Sequence, residues 1–224
     1  MDNFDPLAPL AELPGLADAA AGAVAAIARA HRRPAGLRKP DVISSESLLR
    51  GARVSSADLR ATAGPEVSAF SVLAPELLTT TVRSFARAPL GVLARVDVAA
   101  GGEGIPVPGA GPRLQALARL MTTGAGVEFD RLAPAVVHAE IAAFRLFGER
   151  SEVVGRVAAR AMAVHTGLDP RCFAVPETYL NRHAREYEAA SAGYAAGDPG
   201  PLLVLLLRAW EAGGQEADAI ARAA

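Results

Sequence analysis

Between His138 and Gly167 apolar residues recur at helical spacing on both sides of a short loop that contains Gly148. A pattern of this kind commits the middle of the chain to two consecutive helices. The second helix starts near Ser151 and carries Val153, Val157, Ala161 and Val164 on one side, with Arg156 and Arg160 on another. A loop that feeds a helix N-terminus, with arginines within a turn or two, is a physical recipe for holding an anion. The free backbone N–H groups and the helix dipole both favour negative charge there.

The remaining composition narrows the class. The chain has 224 residues, 51% of them apolar, enough for one large domain or two small ones. Alanine is abundant and aromatics are only 5%, which favours close helix packing over a β-sandwich. The formal net charge is −1, so charge count alone implies no basic face for nucleic acid. A single cysteine, Cys172, excludes an intrachain disulfide and suits a reducing compartment, so the expected location is cytoplasmic. The start, MDNFDPLAPL, is acidic and broken by prolines, unlike a signal peptide. The most apolar run, Pro201 to Leu207, is far below the ~20 residues that span a bilayer and reads as a buried helix.

In chain order, the pattern predicts an N-terminal helix and linker over 1–40 and a helical domain over 41–224. Pro14 and Gly15 separate a turn from a long helix that starts at Leu16 and ends near His31, a residue expected to be solvated. Val42 to Arg60 reads as two short helices, with Gly51 capping the first and Ser55 or Ser56 the second, which opens with Asp58. Leu90 to Val98 suits helix or strand, and Gly101 to Pro112 must be loop or hairpin. Phe129 to Phe144 is a long helix with Pro134 in its first turn. Pro176 opens a helix that runs on to Tyr194, another spans Pro201 to Ala212 with Trp210, and Gln215 to Ala224 forms a short terminal helix or frays. Eight to ten helices result. The fold class is all-α, with a small hairpin near residues 95–109 as the only strand element the pattern allows.

Other constellations fall short. The run Gly102-x-Gly104-x-x-Val107 lacks the third glycine of a dinucleotide loop, and Pro106 and Pro108 remove donors that phosphates need. No His, Cys and carboxylate spacing matches a zinc site. His138 and His165 lie in apolar helices, where a histidine is more often a hydrogen-bonded core residue than a ligand. Helix arginines such as Arg156 and Arg160 are most often simply solvated.

The order and content of these helices resemble the Fic (Fido) family, over about residues 40 to 212. That family transfers a nucleotide monophosphate, usually AMP from ATP, to a protein hydroxyl. Its signature is His-Pro-Phe-x-Asp/Glu-Gly-Asn-Gly-Arg-x-x-Arg. The corresponding string here runs from Arg145 to Arg156, with His138-Ala139-Glu140 seven residues upstream of Arg145 and a Gly-Leu-Asp-Pro turn at 167–170. Phe147, Glu149 and Arg156 match the signature, and the others depart from it. Arg145 stands where the family keeps its catalytic base, and a guanidinium cannot be deprotonated in a protein. Glu149 stands where an acidic residue binds magnesium, a role that requires a nucleotide such as ATP to be present. Arg150 and Glu152 replace two phosphate-approaching glycines and would crowd and repel a triphosphate, while Ser151 replaces the asparagine and reads as a helix cap. Val153 replaces the first arginine and reads as core.

Two further stretches are similar to family elements. Glu46 to Gly51 compares with the inhibitory helix, whose glutamate pairs with the signature's second arginine, but Arg50 stands at that position. Facing Arg156, it would repel unless an anion or a carboxylate such as Glu149 lay between. Gly104 to Gly111 compares with the substrate flap and differs by its prolines.

Three functions follow as expectations. The first is a catalytically degenerate Fic-like protein that binds a nucleotide, a small anion or a partner protein through Arg145, Phe147, Gly148, Glu149, Ser151, Arg156 and Arg160, with Arg50 regulatory. The second is an active nucleotidyl transferase with altered chemistry, in which Arg145 and Arg156 hold phosphate. The third is a structural or assembly module, such as a homo-oligomer, suggested by the apolar C-terminal helix with Trp210. None of them involves nucleic acid or a membrane.

Overall fold

A computed structural model describes residues 5–56 and 62–224. Among the described residues the chain forms thirteen α-helices, one 3-10 turn and no strand, an all-α fold. The first half comprises α1 (Ala8–Ala11), α2 (Leu16–His31), α3 (Pro34–Arg38), α4 (Pro40–Ser55), α5 (Pro65–Ser71), α6 (Pro75–Arg87) and α7 (Pro89–Ala99). The second comprises α8 (Gly111–Thr123), α9 (Val127–Ala143), α10 (Ser151–Thr166), α11 (Pro176–Arg182), α12 (Ala184–Ala195) and α13 (Gly200–Ala223), with the 3-10 turn at Gly148–Arg150. None of the described helices is long and apolar enough to cross a membrane.

Proline does much of the punctuation. Nine of the thirteen helices carry proline at their first or second position, as in α4, α6, α7 and α11. There its φ is already helical and its missing N–H removes no bond. The same ring disfavours helix in the residue before it, so neighbouring helices are kept apart. The start of α9 is served instead from far along the chain: Asp5 accepts hydrogen bonds from the Glu128 and Phe129 N–H groups at 2.7 and 3.1 Å.

The central hairpin of α9 and α10 forms as its spacing predicts, and α2 lies along α13 in the other main seam. Gly213 and Gly214 make that seam close. A Cβ on Gly213 would stand 2.6 Å from the Pro176 nitrogen, and one on Gly214 would stand 2.7 Å from the Ile27 nitrogen. The glycine pair therefore does not end the C-terminal helix. It lets one 24-residue helix run past two backbones, where two separate pieces were expected.

Several other expectations change. The hairpin near 95–109 does not form: residues 89–99 are the helix α7, and residues 100–110 are a loop held at Asp97. Residues 40–55 are one helix, and Gly51 is an interior position rather than a cap. The second short helix expected there falls on residues 57–61, outside the described residues. The stretch read as a linker before Pro40 contains α3. Pro134 lies inside α9, not in its first turn. The helix expected from Pro176 to Tyr194 breaks at His183 into α11 and α12. His31 is not solvated: its Nε2 lies 2.7 Å from Asp169 Oδ1, and its ring stacks on Phe173. Trp210 is 2% exposed, so the apolar face that motivated an assembly reading is already covered by this chain's own helices.

The α13 end is pinned by charge. Asp218 is hydrogen-bonded by Arg33 and by Arg222. The Arg33 hydrogen bond, aided by Arg222, holds the carboxyl at about 2 although burial works against it. The folded value lies below the unfolded one of about 4, so the stabilisation is complete above pH 4 and disappears as the pH falls through 2. With the arginines partly exposed, its size is on the order of 1–2 kcal/mol. Urea unfolding of Asp218→Asn and wild type between pH 6 and 2 should show the two stabilities converging at the acid end. A constant gap would contradict this assignment.

Candidate functional site

The turn between α9 and α10 is built by a C-terminal helix cap. Leu146 N–H donates to Ile141 O at 3.2 Å, and Arg145 N–H donates to Ala142 O at 3.1 Å. These are the paired bonds of a Schellman motif, whose left-handed residue is usually glycine. Here it is Arg145, with φ +50°. A non-glycine residue in that region costs on the order of 1 kcal/mol. Gly148, three residues on at φ +62°, is the glycine that the turn does have.

Around this turn opens a cleft of about 680 Å³. The turn and α10 contribute Arg145, Gly148, Glu149, Ser151, Glu152 and Arg156, while α11 and α12 contribute Asn181, Tyr187 and Glu188. Five of the seven ligand residues expected from sequence therefore meet in one cleft. Phe147 and Arg160 do not reach it. Phe147 is a core residue, and Arg160 is 1% exposed. The Arg160 guanidinium donates to Glu177 at 2.8 and 2.6 Å and to Ser47 at 3.2 Å, and its Nη1 stands 3.6 Å from Cys172 Sγ. Burial pushes the Cys172 thiol up to about 11, so it is protonated and a poor nucleophile.

Each lining group has a distinct state. The Ser151 hydroxyl accepts from Phe147 N–H at 2.8 Å and donates to Gly148 O at 2.7 Å, so it shapes the 3-10 turn rather than capping α10. Arg156 is nearly buried; its Nη2 donates to Glu152 at 3.0 Å, and its Nε has no partner among the described residues. Arg145 is exposed at the cleft, and its guanidinium has no hydrogen bond or ion pair among the described residues. Arg150 leaves the cleft: its Nε donates at 2.7 Å to the buried Asp97, which also accepts from Gly104 N–H at 2.9 Å. With Val107 N–H donating to Leu146 O at 3.0 Å, this ties the proline-bearing loop to the turn. Arg50 is held by Glu46 at 2.7 Å and by Glu216 at 3.3 Å, so its expected confrontation with Arg156 does not form.

No histidine takes over at the cleft. Among the described residues none of the four lines it. His138 is buried, with Nε2 2.9 Å from the hydroxyl of Tyr187, which does line the cleft. Burial, with help from the nearby Arg156 charge, drives His138 down to about 3. Burial also pushes the Tyr187 hydroxyl above its ordinary value. Moving a proton from Tyr187 to His138 is therefore steeply uphill, and the pair is a poor base.

The residues present do not fit a magnesium triphosphate. Arg145 and Arg156 face Glu149, Glu152 and Glu188, so the charged lining sums to −1. No group of three or more His, Cys, Asp or Glu that could hold a metal occurs among the described residues. Asp97, Glu177 and Glu188 were not singled out from the sequence. Asp97 alone had a signal there, as an acid inside the apolar run Leu90 to Val98. Compared with protein families, with curated proteins and with solved structures, the chain matches none.

Proposed function

We propose that this chain is a Fic-like protein that lacks the base for AMP transfer and acts by binding a small ligand through an anionic group in the cleft at the start of α10. The observation that carries the reading is Arg145. It occupies the left-handed cap position that glycine fills at lowest cost, and its unpaired guanidinium stands at the cleft. A costly backbone conformation persists where the side chain has a task. The start of α10, whose dipole favours negative charge, lines the same cleft at Ser151 and Glu152.

Arg145→Gly separates function from stability. Glycine relieves the backbone, so the variant should gain up to about 1 kcal/mol in urea unfolding. Calorimetric titration with inorganic phosphate should show at least tenfold weaker binding by the variant than by wild type. Equal phosphate binding by the two proteins would overturn the role of Arg145. Robust labelling of the protein or a target by labelled ATP and magnesium, lost in Arg145→Ala, would overturn the absence of transfer.

A further inference from the structure

We infer that the cleft selects a zwitterion: a ligand that joins its anionic group to an ammonium or guanidinium. This deepens the preceding reading and rests on it. The argument is one of unpaired charge. Glu152 already neutralises Arg156 at 3.0 Å, which leaves Arg145 as the cation open to a ligand. Against it stand Glu149 from the turn and Glu188 from α12, both exposed and both without an ion pair among the described residues. A cleft with one open cation and two open carboxylates favours a ligand carrying both signs. A polyanion gains one contact and meets two repulsions, and a simple cation meets Arg145.

The walls suit such a ligand in other ways. Asn181 at the end of α11 and Glu188 on α12 both line the cleft, so an amide and a carboxylate stand opposite the turn's Arg145. Arg145 and Glu149 come from the turn, four residues apart. A volume of about 680 Å³ is that of a small-molecule site. Because the carboxylates make no ion pair among the described residues, they can receive a ligand's cationic group without first giving up a partner.

Phosphoethanolamine is a compact probe of this class; inorganic phosphate and AMP carry the anion without the cation. In calorimetric titrations at low salt, phosphoethanolamine should bind at least tenfold more tightly than phosphate, and AMP should show no such advantage. Glu188→Gln should reduce the tenfold preference to less than threefold. Equal affinity for phosphoethanolamine and phosphate in the wild-type protein would overturn the inference, as would a preference for AMP or one that survives in Glu188→Gln combined with Glu149→Gln. Those results would leave the anion reading intact. Failure of phosphate and phosphoethanolamine alike to bind the folded protein would instead remove the anion reading, and this inference with it.

Discussion

Glu177→Ala is expected to destabilise the protein by about 3–5 kcal/mol, the typical cost of leaving a buried charge without its partner. Arg160 and Glu177 are each 1% exposed and meet through two hydrogen bonds at 2.8 and 2.6 Å. The guanidinium also stands over the Phe70 ring at 5.4 Å. Gly51 leaves room for the pair: a Cβ there would lie 2.7 Å from Arg160 Nη2 and 2.9 Å from Glu177 Oε2. With the carboxylate gone, the neutral Ser47 and Cys172 cannot balance a full charge. The double variant Arg160→Met with Glu177→Leu should recover most of the loss, because the pair itself gains little over apolar packing. Urea unfolding followed by circular dichroism measures both. A loss below 1 kcal/mol for Glu177→Ala would show that the Arg160 charge finds other partners or water once the carboxylate is gone.

Trp210→Ala should cost a similar amount, about 3–5 kcal/mol, for a different reason. Trp210 fills the seam between α2 and α13 with Ala23, Ile27, Ala159, Ala163 and Ala174. Its neighbours are mostly alanines, too short to close over the space an indole leaves. The glycine contacts at 213 and 214 also hold the two backbones in place, so the cavity cannot collapse by helix movement. For a chain of this size the loss corresponds to a fall in Tm of roughly 6–20 °C. A smaller fall than that range in a thermal scan would mean that the seam relaxes.

The two variants report on different parts of the protein. Neither Glu177 nor Trp210 lines the cleft, so ligand binding by the fraction still folded should be unchanged. Arg145→Gly should do the opposite, weakening binding while raising stability. A residue kept against its backbone preference, beside a cleft, is the pattern expected where function and stability compete.

Local rules made the helices legible. Apolar spacing placed the α9–α10 hairpin, and the prolines marked most starts, because a proline's φ and missing donor act on the residues next to it whatever the fold. The pattern also pointed to the turn at 145–156, since a loop feeding a helix beside arginines has its chemistry in the backbone. The errors arose where one-dimensional reasoning met long-range packing. Gly51 and Gly213-Gly214 looked like stops, yet they lie inside helices because other chain segments approach there too closely for a Cβ. Arg160 looked like a partner of Arg156 in anion binding. One turn of helix carries it into the core, where Glu177 neutralises it.

From its sequence alone this protein is an all-helical chain with a central hairpin whose turn carries permanently charged arginines. Those properties follow from side-chain period, proline geometry and the fixed charge of guanidinium, none of which needs a distant partner. The tertiary structure decided which arginines remain open, that Asp97 holds Arg150 away from the cleft, and that Glu188 enters it from α12. It also placed Arg145 in a glycine's conformation. Such outcomes depend on which side chains meet across the fold, and helical periodicity does not encode those meetings.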